Sequence, residues 1–190
     1  PGHRDLSGQE ADENHGNPSA PVFPNVSYFT FDKTTSYGVD PQGNALFSAI
    51  TDAQMQRARE IFSILSYYTG TQYIEVPTSA GANHWVITGD TRAVDPNVPP
   101  DNIGGINGGQ RSIMNANENW GASEYGGAWF QTAFHEIGHG IGLSHAYDLP
   151  SIMGRGLPGE AVFPTDYDIV HLRGISPLTG SDLDTYKFTV

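Results

Sequence analysis

The sequence predicts an α+β fold, and three observations carry that prediction. A run rich in aromatic and β-branched residues, with Val26, Tyr28, Phe29 and Phe31, reads as a strand. Residues 51–68 repeat apolar side chains at helical spacing and lead into two further strand-like segments. A second helix, carrying histidines, follows near residue 135 after a stretch dense in glycine and proline. A chain of 190 residues suits one domain, and 37% hydrophobic with 11% aromatic residues is enough for a core. Wholesale disorder is thereby excluded.

The elements follow in order. Residues 1–20 contain one large apolar residue, Leu6, among charges, glycine and proline. They read as a flexible leader or the remnant of a pro-segment, with His3 and His15 solvated. Pro1 follows no basic-then-apolar leader, so it reads as a processed start. Ordered structure is expected from 22–32, and residues 38–44 read as a loop. Thr51 or Asp52 caps the first helix and Gly70 stops it. Met55, Ala58, Ile61, Phe62, Leu65 and Tyr68 form its core stripe. TQYIEV at 71–76 and HWVIT at 84–88 are the strands after it. Residues 92–109 carry so many breakers that they read as one long surface loop, a kind that is usually functional or pinned by metal. RSIMN at 111–115 reads as a short edge strand, and Trp129 and Phe130 are expected in the core. The domain is expected over 21–178, its upper part ending at about 142 and its lower part after it. Residues 179–190 form a tail in which Tyr186, Phe188 and Val190 alternate. It is either a terminal strand of this domain or the start of a further β-domain.

Charge and composition remove several function classes. Lys and Arg number 9 against 21 Asp and Glu, a net charge of −12. Nucleic acids and anionic membrane surfaces would be repelled. No apolar run reaches the length of a membrane span. Cysteine is absent, which excludes disulfides, thiol nucleophiles and thiolate metal sites together. A metal must then be held by carboxylates or by some of the seven histidines.

Residues 133–145, AFHEIGHGIGLSH, carry the chemistry. His135 and His139 are four apart, so one helical turn puts both imidazoles on the same face, where they can share one tetrahedral Zn²⁺. Glu136 lies about 100° around the helix from His135, beside such a metal without being a ligand, which suits a general base. Gly142 is the natural helix stop, because glycine accepts the left-handed conformation of a C-terminal cap. The chain can then turn and bring His145 back as a third ligand. Gly138 and Gly140 inside the helix each cost about 0.5–1 kcal/mol relative to alanine. The metal and the packing must hold the helix instead.

HEIGHGIGLSH resembles the zinc-binding signature of the metzincin metallopeptidases, in wording closest to serralysins and next to matrixins. Ser151-Ile152-Met153-Gly154 resembles the Met-turn of that clan, in which a methionine lies beneath the zinc. Residues 166–172 resemble the start of its C-terminal helix, with Tyr167 where the first acid of an acidic pair would stand before Asp168. Serralysins carry a zinc-proximal tyrosine two residues after the methionine; Arg155 stands there, so that role is absent or passes to Tyr147 or Tyr167. The resemblance covers about 22–175 and is strongest over 133–153.

It implies a twisted mixed sheet with helices above a cleft and a small irregular C-terminal subdomain. It also implies a secreted, monomeric zinc endopeptidase. Zinc held by His135, His139 and His145 would lower the pKa of water, and Glu136 would take a proton from that water and pass it to the leaving amine. A protein or peptide substrate would lie extended along an edge strand, which by resemblance is the 110–115 strand. Structural Ca²⁺ is a further expectation, at Asp90, Asp95 and Asp101 with nearby carbonyls; the other reading of these three is solvated loop acids. Two other functional readings stand beside the peptidase. One is a zinc amidase acting on a small or cell-wall peptide. The other is an inactive zinc-binding module, which would have no need of Glu136.

Overall fold

The computed structural model describes residues 25–99, 103–143, 145, 151–154, 163–166, 168, 169 and 172. The leader at 1–20 and the tail at 179–190 lie outside these residues, as do Asp101, Tyr147, Arg155 and Tyr167.

Local sequence signals shape the first helix, α1 (Asp52–Thr69). Thr51 accepts from the Gln54 backbone while the Gln54 side chain accepts from the Thr51 N–H, a reciprocal capping box. Gly70, at φ 73°, ends the helix in the left-handed region. Ala58, Ile61, Phe62 and Leu65 are buried, while Met55 and Tyr68 are only partly covered.

Strands β1 (Val26–Thr30), β2 (Gly38–Val39) and β3 (Ala45–Leu46) precede α1. After it come β4 (Gln72–Glu75), β5 (His84–Gly89), β6 (Gly105–Gly108) and β7 (Arg111–Asn115), and then the second helix α2 (Ala128–Gly140). Five strands form one mixed sheet in the order β4-β1-β5-β7-β6, with β6 antiparallel to β7 and the other pairs parallel. β5 is buried at every residue because both of its faces are covered. On one face α1 and α2 pack over Phe29, Val86 and Met114, and Phe29 stacks on Phe62 at 4.1 Å between ring centroids. On the other face Tyr37, Trp85, Ile87 and Ile113 form a smaller cluster, with Val94 and Ile106 against it. Trp129 and Phe130 are fully buried, as expected.

A buried polar relay ties both helices to the sheet. Gln54 Oε1 accepts from Thr88 Oγ1 at 3.0 Å, and the same hydroxyl accepts from Trp129 Nε1 at 3.2 Å. The polar atoms of this relay satisfy one another, which keeps their burial from being costly.

Three sequence expectations change. Residues 92–109 are not one loop. A short 3-10 turn runs over Thr91–Ala93, capped by Asp90, and β6 forms at Gly105–Gly108. β6 escapes a pattern-based reading because two of its four residues are glycine, which is depleted in strands. Residues 38–44 contain β2 and the turn that pairs it with β3, closed by Asp40 accepting from the backbone of Gln42 and Asn44. Finally, the 111–115 strand lies inside the sheet between β5 and β6 and is not an edge. The open edge on this side is β6, since strand order depends on pairings that no local pattern reports.

Candidate metal centre and cleft

α2 places its core residues Trp129, Phe130, Ala133, Phe134 and Ile137 against the sheet and α1, leaving His135 and His139 one turn apart toward the cleft. The helix closes in a Schellman arrangement. Gly142, at φ 105°, donates to the His139 carbonyl at 3.0 Å, and Leu143 donates to the Gly138 carbonyl at 2.9 Å. Gly142 therefore supplies the turn expected of it, and the reversal brings His145 back.

The three imidazoles converge. His139 Nε2 lies 3.1 Å from His135 Nε2 and 3.2 Å from His145 Nε2. Among the described residues this is the group of His, Asp or Glu that could hold a metal ion. Two backbone carbonyls set the tautomers: His135 Nδ1 donates to Ile152 O and His139 Nδ1 donates to Leu143 O, each at 2.8 Å. A carbonyl only accepts, so each Nδ1 carries the proton and each Nε2 turns a lone pair inward. Tetrahedral zinc with bonds of 2.0–2.1 Å requires ligand nitrogens about 3.3 Å apart. The donor set and its spacing fit zinc.

Glu136 is 6% exposed, and burial pushes its carboxyl pKa up to about 8. It sits under β6, where a side chain at Gly105 would come within 2.8 Å of Glu136 Cγ. Met153 is buried below α2, and a Cβ at Gly138 would stand 2.5 Å from its sulfur. The glycine that weakens the helix thus admits the methionine.

The turn that carries Met153 is held by Asp168. Its carboxylate accepts from the Ser151 hydroxyl, from Ile152 N at 3.0 Å, and from Thr165 N and Oγ1 at 2.7 and 2.9 Å. The second acid of the expected pair is the one that does the holding here. Asn107 and Ser112, which the sequence reading did not single out, both donate to the Glu136 carbonyl at 3.1 Å. Nothing in the glycine-rich pattern around Asn107 signals such a contact.

These groups line an open cleft of about 890 Å³ that runs from the histidines, Glu136 and Ile152 along residues 103–107 to Val98. Two of the three acids expected at calcium accept hydrogen bonds from their own loop. Both Asp90 oxygens bind Arg92, at distances down to 2.6 Å, and Asp95 accepts from Asn97. Asp101 lies outside the described residues. No helix among the described residues is long and apolar enough to cross a membrane.

Comparison with protein families gives a match to the matrixin model over residues 29–163, which takes in both helices, the sheet from the end of β1 onward and the histidine signature. Comparison with curated proteins gives no match.

Proposed function

This chain belongs to the matrixin family of zinc metalloendopeptidases, and from that premise we propose that His135, His139 and His145 hold the zinc while Glu136 is the general base and acid of peptide hydrolysis. The observation that carries the reading is the convergence of the three Nε2 atoms, two with tautomers set by backbone carbonyls, beside a buried carboxyl. Zinc there supplies a Lewis acid that polarises a carbonyl and lowers the pKa of water.

The residues of the chain do the rest. The Ile152 and Leu143 carbonyls hold the Nδ1 protons and the orientation of the His135 and His139 rings, so each Nε2 is already aimed where the metal would bind. Burial alone favours protonated Glu136, and a dication held next to it favours the ionised form. Glu136 then accepts a proton from the attacking water at one carboxylate oxygen and returns it to the leaving amine. The substrate is an extended peptide pairing with β6, which is the open edge of the sheet and borders the cleft. A cleft that continues along the strand to Val98 favours a polypeptide over a small amide substrate. The proposed setting is extracellular, in keeping with membership of the matrixin family.

The test compares wild type with Glu136→Ala for bound zinc and for cleavage of an unfolded protein. Zinc in both, with cleavage at least about a hundredfold slower in the variant, is expected from loss of a general base. Equal cleavage would remove Glu136 from the mechanism, and zinc-loaded wild type without cleavage would remove the peptidase.

A further inference from the structure

Two positions of the edge strand β6 touch the catalytic helix. Gly105 lies against the Glu136 side chain, and Asn107 reaches the Glu136 backbone. Asn107 pairs across the sheet with Ser112 of β7, and the two side chains act together. Asn107 Nδ2 donates to Ser112 Oγ and to the Glu136 carbonyl, both at 3.1 Å, while Ser112 Oγ donates to the same carbonyl at 3.1 Å. The carbonyl only accepts, so the nitrogen and not the oxygen of the amide must face it. Helical register already gives that carbonyl the N–H of Gly140, so it is the point where helix, edge strand and neighbouring strand meet.

The helix makes room for this contact. A Cβ at Gly140 would stand 3.1 Å from Asn107 Nδ2, with the other nearest atoms at 3.6 and 3.7 Å. Any side chain there would press on the amide that joins β6 to α2. Gly140 has no positive φ that would require glycine, so the close approach accounts for its presence.

Resting on the peptidase reading above, we propose that Asn107 is a positioning residue that sets the spacing between the substrate-bearing edge of the sheet and the Glu136 carboxyl. The strand that pairs with the substrate is then joined, through one side chain, to the backbone of the residue that moves the proton. A shift of the strand relative to the helix changes the distance from the scissile carbonyl to the base while leaving the strand's own pairing groups intact. Rate therefore responds more than binding does, because misplacement acts on the transition state. The Gly140→Ala exchange separates this role from a stabilising one. Alanine strengthens an isolated helix by about 0.5–1 kcal/mol, yet here it disturbs the amide.

The experiment uses the zinc-loaded protein and a quenched fluorescent peptide, comparing wild type, Asn107→Ala, Ser112→Ala and Gly140→Ala. Bound zinc, kcat, KM, Tm and amide exchange of α2 are measured for each. Asn107→Ala is expected to keep its zinc and lose kcat about tenfold, with KM within about twofold, as misplacement of a catalytic group predicts. Gly140→Ala is expected to lower kcat without lowering Tm. If Asn107→Ala does not fold, Ser112→Ala carries the same comparison, since it removes one of the two donors. Wild-type kcat in zinc-loaded Asn107→Ala, or kcat in the variants falling only in step with Tm, overturns the proposal. If wild type itself does not cleave, the peptidase reading fails. Faster exchange at the C-terminal end of α2 in Asn107→Ala would then support the clamp, and unchanged exchange would overturn it.

Discussion

At the scale of single residues, the glycines of the histidine helix are contacts in disguise. Gly138 faces the Met153 sulfur so closely that an added Cβ would lie 2.5 Å away. Met153 is 2% exposed and has little room to give. Gly138→Ala should therefore destabilise the protein by about 1–3 kcal/mol, the usual cost of overpacking, despite the better helix propensity of alanine. Thermal or denaturant unfolding checks this. In a double-mutant cycle Gly138→Ala should cost less in a Met153→Ala background than in wild type, and a stabilised Gly138→Ala single variant would contradict the packing argument. Sequence reasoning saw these glycines only as a propensity cost, because the neighbour that justifies Gly138 comes from beyond the helix. The histidines were fully legible, since a helix of known pitch fixes which of them share a face. His145 was legible through Gly142.

Between elements, the joints carry the site. Asp168 gathers four donors from residues 151, 152 and 165, and Ile152 in turn accepts from the His135 ring. Asp168→Ala should cost about 2–4 kcal/mol, because it leaves buried donors without an acceptor. It should also weaken zinc binding by freeing the Ile152 carbonyl. Competition with a chelator measures the second effect, and unchanged zinc affinity would show that the turn holds its place without Asp168. α1 was legible end to end because its capping box and Gly70 are local signals. β6 was not, because Gly105 and Gly108 erase the alternation by which strands are recognised. The edge was misassigned for a different reason. Which strand is outermost follows from β6 folding back antiparallel onto β7, and 111–115 alone cannot disclose that partner.

For the molecule as a whole, acid is the condition that separates folded from unfolded charge. His84 is 5% exposed, its ring bonded to Ser27 Oγ at 3.1 Å, and burial pushes its pKa from 6.5 to about 4. The folded-state value lies below the unfolded one, so between those values the unfolded chain binds more protons. The stability due to neutral His84 is complete above pH 6.5 and is lost as pH falls toward 4. That share amounts to at most about 3 kcal/mol. Unfolding free energies at several pH values should show it, and His84→Gln should flatten the slope in this window. An unchanged slope would assign the acid sensitivity elsewhere. Asp32 acts near the acid limit. Its burial opposes ionisation, but bonds from Thr35, Ser79 and Thr34 hold its pKa far below the usual carboxylate range. Its contribution survives until strongly acidic conditions.

The three converging imidazoles and the Glu136 carboxyl differ in where their support comes from along the chain. All three histidines fall within residues 135–145, whereas the donors that seat the Glu136 backbone lie 29 and 24 positions upstream. Closing a short segment costs less chain entropy than joining distant ones, and local contacts form first during folding. The short segment that carries the three imidazoles is thus the cheaper one to close, and the seat of the Glu136 backbone is the part of the site that depends on the sheet being in place.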